Sequence, residues 1–312
     1  MLQPTHPVFL VASDLRDASE GIVQAASVFA ERACAELHLC HVIEPRGWLS
    51  RSVNLLEQAE SVQLYGMVEA SERLQKLQKQ AKHCISRRTP PASIEVLTGP
   101  EATYQLVLNH AKKVGATHIV LGPHSGTAAS ARLLGTTAER IIRTASIPCL
   151  LLRGLVVHPP ERIGAAIDLS SMSPQIVAEA ARWAMRCAGP DVATLATPAF
   201  QLIYVGWSVE HIDNPGIEQT VVRPGIEQAL AGAREVLGTS QNLDARTEVR
   251  WENEPVKPIL QWAATNQIDL LVVGTHGRKG LIRALLGSTA MAIARDAACP
   301  VLLVPPPVET EG

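Results

Sequence analysis

The chain has 312 residues, of which 46% are hydrophobic and 4% aromatic, with a formal net charge of −2. That length suggests about two domains, each able to bury a core. The near-neutral charge argues against a nucleic-acid partner, the scarcity of aromatic residues argues against a base-stacking surface, and no apolar run reaches the roughly 18–20 residues of a membrane span.

The opening segment, MLQPTHPVFLVASDL, lacks a basic leader region and carries Asp14. It reads as a first strand rather than a signal peptide, and a cytoplasmic location is expected. Short apolar runs then alternate with amphipathic stretches. Strands are expected at 8–13, 37–43, 93–97, 117–121 and 147–152, and helices near 18–34, 53–86, 101–114 and 136–144. Within 53–86, Leu55, Leu56, Ala59, Val62, Tyr65, Met67, Leu74, Leu77 and Ala81 recur at helical spacing, which marks a long core-facing helix; a partner-binding groove is the alternative. A Gly- and Pro-rich seam, RGLVVHPPER (153–162), follows. A second series has strands at 162–167, 200–205, 246–250, 268–273 and 299–304, and helices near 174–187, 218–238, 255–266 and 288–297. The expected domains are 1–156 and 157–312.

The two series are copies. Sliding the sequence by 152 residues places Gly122 on Gly274, His124 on His276, Gly135 on Gly287, Thr136 on Ser288 and Pro148 on Pro300. Upstream, VFLVASDL matches RIGAAIDL, while LHLCHVIEP matches FQLIYVGW at a larger offset, so the second copy carries an insertion near PDVATLATPAF. Near-continuously apolar strands separated by helices imply a parallel sheet covered on both faces. The expected fold is α/β: two tandem doubly wound domains, each a five-stranded parallel sheet ordered 3-2-1-4-5. Such sheets bind ligands beyond the carboxyl ends of the strands, where the winding reverses. Asp14 and Asp168 close the first strands there, and the glycine loops begin where the fourth strands end.

In the second copy the loop reads Gly274-x2-Gly277-x9-Gly287-Ser288 and runs straight into a helix. Gly274 and Gly277 would allow positive φ and close approach of backbone amides. The helix start offers free N–H groups and a positive dipole end to an anion, with Ser288 as a cap or phosphate contact. Arg278, Lys279 and Arg283 add positive charge. The pattern is neither a Walker A loop nor GxGxxG. Asp14 and Asp168 are expected to cap the following helices, to accept hydrogen bonds from ligand hydroxyls or amino groups, or to do both, since the two roles are compatible.

These residues resemble the universal stress protein family in its tandem form, and the loop matches the motif of that family's ATP-binding branch. The resemblance implies ATP or a related adenine nucleotide, with Mg2+ carried by the phosphates. In the second copy it points to Asp168, Val205, Gly274, His276, Gly277, Arg278, Gly287, Ser288 and Thr289. A weaker second site would use Asp14, Val42, Gly122, Ser125, Gly135 and Thr136. Ser125 stands where the second copy has Gly277, and Pro123 stiffens that loop.

His124 and His276 are expected to be structural loop residues. No catalytic group or metal ligand set is evident, so at most slow ATP hydrolysis is expected. The six cysteines, Cys34, Cys40, Cys84, Cys149, Cys187 and Cys299, form no CxxC pair or zinc-spaced cluster and read as reduced and structural. The fifth strands, IPCLLLR and CPVLLVP, are apolar for sheet edges; pairing them within the chain would bury both, and a homodimer is a further possibility. The functional expectation is a cytoplasmic stress-response sensor or regulator. The alternatives are a nucleotide-independent adaptor of the same fold and a weak ATPase.

Overall fold

The computed structural model describes residues 6–43, 59–122, 134–154, 156, 158–188, 200–276 and 287–307. The first half runs β1 (Val8–Ala12), α1 (Asp17–Ala33), β2 (Glu36–Val42), α2 (Ala59–Cys84), β3 (Ser93–Leu97), α3 (Thr103–Lys113), β4 (His118–Leu121), α4 (Thr136–Thr144) and β5 (Cys149–Leu151). The second runs β6 (Ile163–Ile167), α5 (Ser173–Ala188), β7 (Phe200–Gly206), α6 (Ser208–Asp213), α7 (Arg223–Leu237), β8 (Ala245–Trp251), α8 (Val256–Thr265), β9 (Leu270–Gly274), α9 (Ser288–Asp296) and β10 (Val301–Val304).

The described strands form one sheet in the order β3-β2-β1-β4-β5-β10-β9-β6-β7-β8. Within each half the neighbours are parallel and follow the order 3-2-1-4-5. The halves meet where β5 and β10 pair antiparallel, with Val301 opposite Leu151 and Leu303 opposite Cys149. Each of these strands is buried along its whole length. Left open, two such apolar edges would template pairing with other chains.

Side chains alternate across the sheet, as the period of two requires. Phe9 and Val11 enter one core with α1, α2, α5 and α7, whereas Leu10 enters the other with α3, α4, α8 and α9. The first core is continuous across both halves, because α1 packs on α5. Trp183 of α5, fully buried, lies 5.5 Å from Phe29 of α1 and 6.1 Å from Phe9 of β1, between ring centroids.

The structure corrects several local expectations. Helix α6 lies in a stretch read as a connection. The helix expected from 218 opens with a π-helical run, Glu218–Val222, and becomes α-helical at Arg223. On α2, Leu77 and Ala81 face the core, but Met67 is 71% exposed, because it lies on the outward side of the helix. Leu55 and Leu56 and most of the insertion before β7 lie outside the described residues. All six cysteines are free; Cys34 is exposed, and Cys299 lies just before β10 rather than within it. Among the described residues no helix is long and apolar enough to cross a membrane.

Candidate functional site at the sheet ends

Both halves make the same turn after their first strand. Leu15 and Leu169 each adopt φ 59°, in the left-handed region that non-glycine residues seldom occupy. The Arg16 N–H donates to Asp14 Oδ1 at 3.1 Å, and the Ser170 N–H donates to Asp168 Oδ1 at 3.0 Å. Both carboxylates therefore fold their own turn. Asp14 does not cap α1 as one expectation had it: that helix begins after Arg16 with no side-chain cap. The same uncommon backbone conformation recurs at both sheet ends, a kind of strain that often clusters at ligand sites.

In the first half a buried polar network fixes this turn. The Ser13 hydroxyl donates to Gln80 Oε1 at 2.7 Å, and Gln80 Nε2 donates to the Ser19 hydroxyl at 2.8 Å. The Ser19 hydroxyl donates to the Arg16 carbonyl, and the Leu15 N–H donates to Ser13 Oγ. His41 Nδ1 lies 2.8 Å from the Ser13 carbonyl and so carries the proton that the carbonyl accepts.

Gly274 does not take the positive φ that was one expectation for it. Among the described glycines only Gly115, Gly154 and Gly238 have positive φ. Gly274 is the last residue of β9, where a Cβ would meet Ile176 Cδ1 at 2.8 Å and the His276 carbonyl at 3.1 Å; at Gly122 a Cβ would meet Ile22 Cγ1 at 2.9 Å. Both are glycine because a helix packs directly on the strand end. Gly135 and Gly287 are the N-caps of α4 and α9, which places Thr136 and Ser288 inside the helices rather than at the cap. Among the described residues no side chain caps either helix start, which leaves first-turn N–H groups at the positive dipole end. The Gly287 N–H is held by the Thr275 carbonyl at 2.8 Å, and a Cβ on Gly287 would come within 3.3 Å of that oxygen.

The structure brings Asp168, Val205, Gly274, His276, Gly287, Ser288 and Thr289 to the carboxyl end of the second half's sheet. His276 Nδ1 lies 2.9 Å from Thr275 Oγ1, and its buried Nε2 has no partner among the described residues. Gly277, Arg278 and Ser125 lie outside the described residues. Beside this end, Gly206 makes room for Trp251, whose ring would lie 2.4 Å from a Cβ there, and His211 of α6 stacks on Trp251 with centroids 4.6 Å apart.

In the first half, Asp14, Val42, Gly122, Gly135 and Thr136 line a single cavity of about 800 Å³. His41, Glu69, Arg73 and Thr103 join them, and the sequence reading missed all four. Burial pushes the His41 imidazole below its usual range; the Ser13 carbonyl opposes this, Arg73 adds to it, and Asp14 and Glu69 oppose it. Ser13, Asp14, Glu69 and Arg73 all line the same cavity as His41. A signal was available: Glu69, Arg73 and Gln80 occupy the core-facing stripe of α2, where apolar residues are the rule. Among the described residues no cluster of three or more His, Cys, Asp or Glu is placed to hold a metal ion.

A model of the universal stress protein family matches residues 7–153 and again residues 160–305. A universal stress protein of Mycobacterium tuberculosis is 31% identical over 237 residues, covering 72% of this chain and 73% of that protein. One from Methanocaldococcus jannaschii is 45% identical over 56 residues, which is 18% of this chain and a match to only 33% of that protein. The solved structure of a universal stress protein from Archaeoglobus fulgidus superposes with a TM-score of 0.59 at 15% identity, over 96% of this chain and 97% of its own, and so shares the fold. With the family pattern present twice, on two copies of one doubly wound sheet joined edge to edge, this chain belongs to the universal stress protein family in its tandem form.

Proposed function

We propose that the protein binds an adenine nucleotide, ATP in the first instance, at the carboxyl end of the second half's sheet, and that it works as a cytoplasmic sensor or regulator in the stress response. The observation that carries this reading is the helix start at Gly287. It is uncapped, too close to the Thr275 carbonyl for a larger residue to fit without movement, and it closes an intact Gly274-x2-Gly277-x9-Gly287-Ser288 pattern beside the strained Asp168 turn. Phosphate oxygens would accept from the first-turn N–H groups, Ser288 and Thr289 would add hydroxyls, and Asp168 would accept from ribose or base. Any Mg2+ would ride on the phosphates. The first-half cavity supports a second ligand site, because it gathers Asp14, Val42, Gly122, Gly135 and Thr136 around one volume.

The protein as purified is expected to carry adenine nucleotide detectable by mass spectrometry. Gly277→Val is expected to weaken ATP binding by calorimetry at least about tenfold, since a branched side chain would stand between loop amides and phosphate. Wild-type protein that binds no ATP at millimolar concentration would sink the reading. Unchanged affinity after Gly277→Val would move the site out of the second half's loop.

A further inference from the structure

We propose that Arg73 recognises the anionic group of a phosphorylated ligand in the first-half cavity, a role that the inward face of the equivalent helix in the second half does not repeat among the described residues. The inference rests on the reading of the sheet ends as ligand sites. Its first support is placement. Arg73 and Glu69 lie on the inward stripe of α2 that continues through Leu77, Gln80 and Cys84 into the core, and both line the cavity. Charged residues normally take the solvent face of such a helix.

Stability does not explain them. Their mutual ion pair spans 3.4 Å with side chains 38% and 40% exposed, and pairs of this i,i+4 kind contribute little. Nor is the stripe loose. Gln80, 6% exposed, ties α2 through Ser13 and Ser19 to the turn that carries Asp14, so Arg73, two helical turns away on the same face, is held over the cavity.

The second half supplies the contrast. The buried residues of α7 and of the π-helical run before it, Val222, Ile226, Ala229 and Ala233, are all apolar. Gly225 lies against the equivalent turn, where even a Cβ would come within 2.9 Å of Leu169 Cδ1. The helix face beside the first turn carries a guanidinium and a carboxylate into the cavity; the corresponding face in the second half carries glycine and apolar side chains.

The chemistry of the occupant follows. In sequence the first half has Ser125 in place of Gly277 and lacks counterparts of Arg278 and Lys279, so its loop offers less to a phosphate. Arg73 replaces that charge from the opposite wall. A phosphate draws the guanidinium fork from Glu69 by accepting two parallel hydrogen bonds, while its other oxygens face the uncapped start of α4 at Gly135.

The test uses the full chain carrying Gly277→Val, titrated calorimetrically with ATP, pyrophosphate and adenosine, with and without Arg73→Ala and Arg73→Lys. Arg73→Ala is expected to weaken ATP and pyrophosphate by about 10- to 100-fold, the range for a charged hydrogen-bonding group, and adenosine by less than about threefold. Arg73→Lys is expected to recover part of the loss. Unchanged ATP affinity in Arg73→Ala overturns the proposal, and so does an equal loss for ATP and adenosine, which marks a packing role. No binding of ATP or pyrophosphate by the Gly277→Val chain, beside one ATP bound by the wild type, overturns it too but leaves the second-half site standing. No ATP bound by the wild type defeats both. If Gly277→Val does not fold, stoichiometry decides: Arg73→Ala in the otherwise native chain must remove one of two ATP sites.

Discussion

Alanine in place of Trp183 is expected to lower the free energy of unfolding by about 3–5 kcal/mol, the range for emptying a buried aromatic site. Trp183 is among the largest fully buried side chains, and it belongs to α5 of the second half. Its ring meets three first-half rings: Phe9, Phe29 and, edge-on at 6.0 Å, His118. The Arg186 guanidinium lies 5.5 Å from the ring centroid. The cavity left behind would be hard to close, because the paired β5 and β10 hold the two halves at a fixed separation. Phenylalanine, the residue at the equivalent place on α1, fills most of the volume and removes an indole N–H that has no partner among the described residues; its expected cost is below about 1.5 kcal/mol. Trp207→Ala is the control, since that ring is 51% exposed and its loss should cost under about 1 kcal/mol. Urea denaturation followed by circular dichroism measures all three. A Trp183→Ala loss below about 1 kcal/mol would show that the contact between α1 and α5 adds little to stability.

How much of this was legible in the sequence depended on whether a residue's role was local. Strands such as FLVA, IVL and LLVV are apolar runs of strand length, and a duplicated pattern leaves little choice of topology once the crossovers are right-handed. The strand order of each half could therefore be read before any contact was known. Helix α6 could not: SVEHID is less than two turns long, too short for periodicity to register. The positions of Asp14, Gly122, Gly135 and Thr136 around one cavity follow from topology. The reasons for the glycines do not, because the residues they accommodate, Ile22 and Ile176, are distant in sequence. Ser288 reads as a cap since serine favours that place, but Gly287 occupies it, leaving the helix start open. Arg73 and Gln80 were legible only as polar residues on the stripe that Leu77 and Ala81 mark; that Arg73 lines a cavity beside Asp14 is what the fold adds.

The same interface predicts a response to acid. His118 opens β4 with its imidazole wholly buried against Phe9 and Trp183. Thr117 Oγ1 lies 2.9 Å from Nδ1 and donates to the Val8 carbonyl, so Nδ1 carries the proton, and Nε2 has no partner among the described residues. Burial first, then the positive charges of Arg186 and Arg182, push its pKa from 6.5 down to about 3. The folded state thus binds fewer protons than the unfolded state between those two values, and stability falls as pH falls through that window. The contribution is fully present above pH 6.5; the whole window is worth on the order of 5 kcal/mol, of which about 2 kcal/mol is lost by pH 5. His41 and His110 are also pushed down by burial, and carboxylates titrate lower still, so wild-type acid sensitivity alone does not isolate His118. His118→Leu does, and Leu270, at the corresponding place in the second half, shows that leucine suits that position. The stability of His118→Leu relative to wild type is expected to rise by about 2 kcal/mol between pH 7.5 and pH 5 in paired urea denaturations. A difference that stays flat over that range would mean that His118 keeps its proton on folding, and that the contact with Trp183 admits either water or a countercharge.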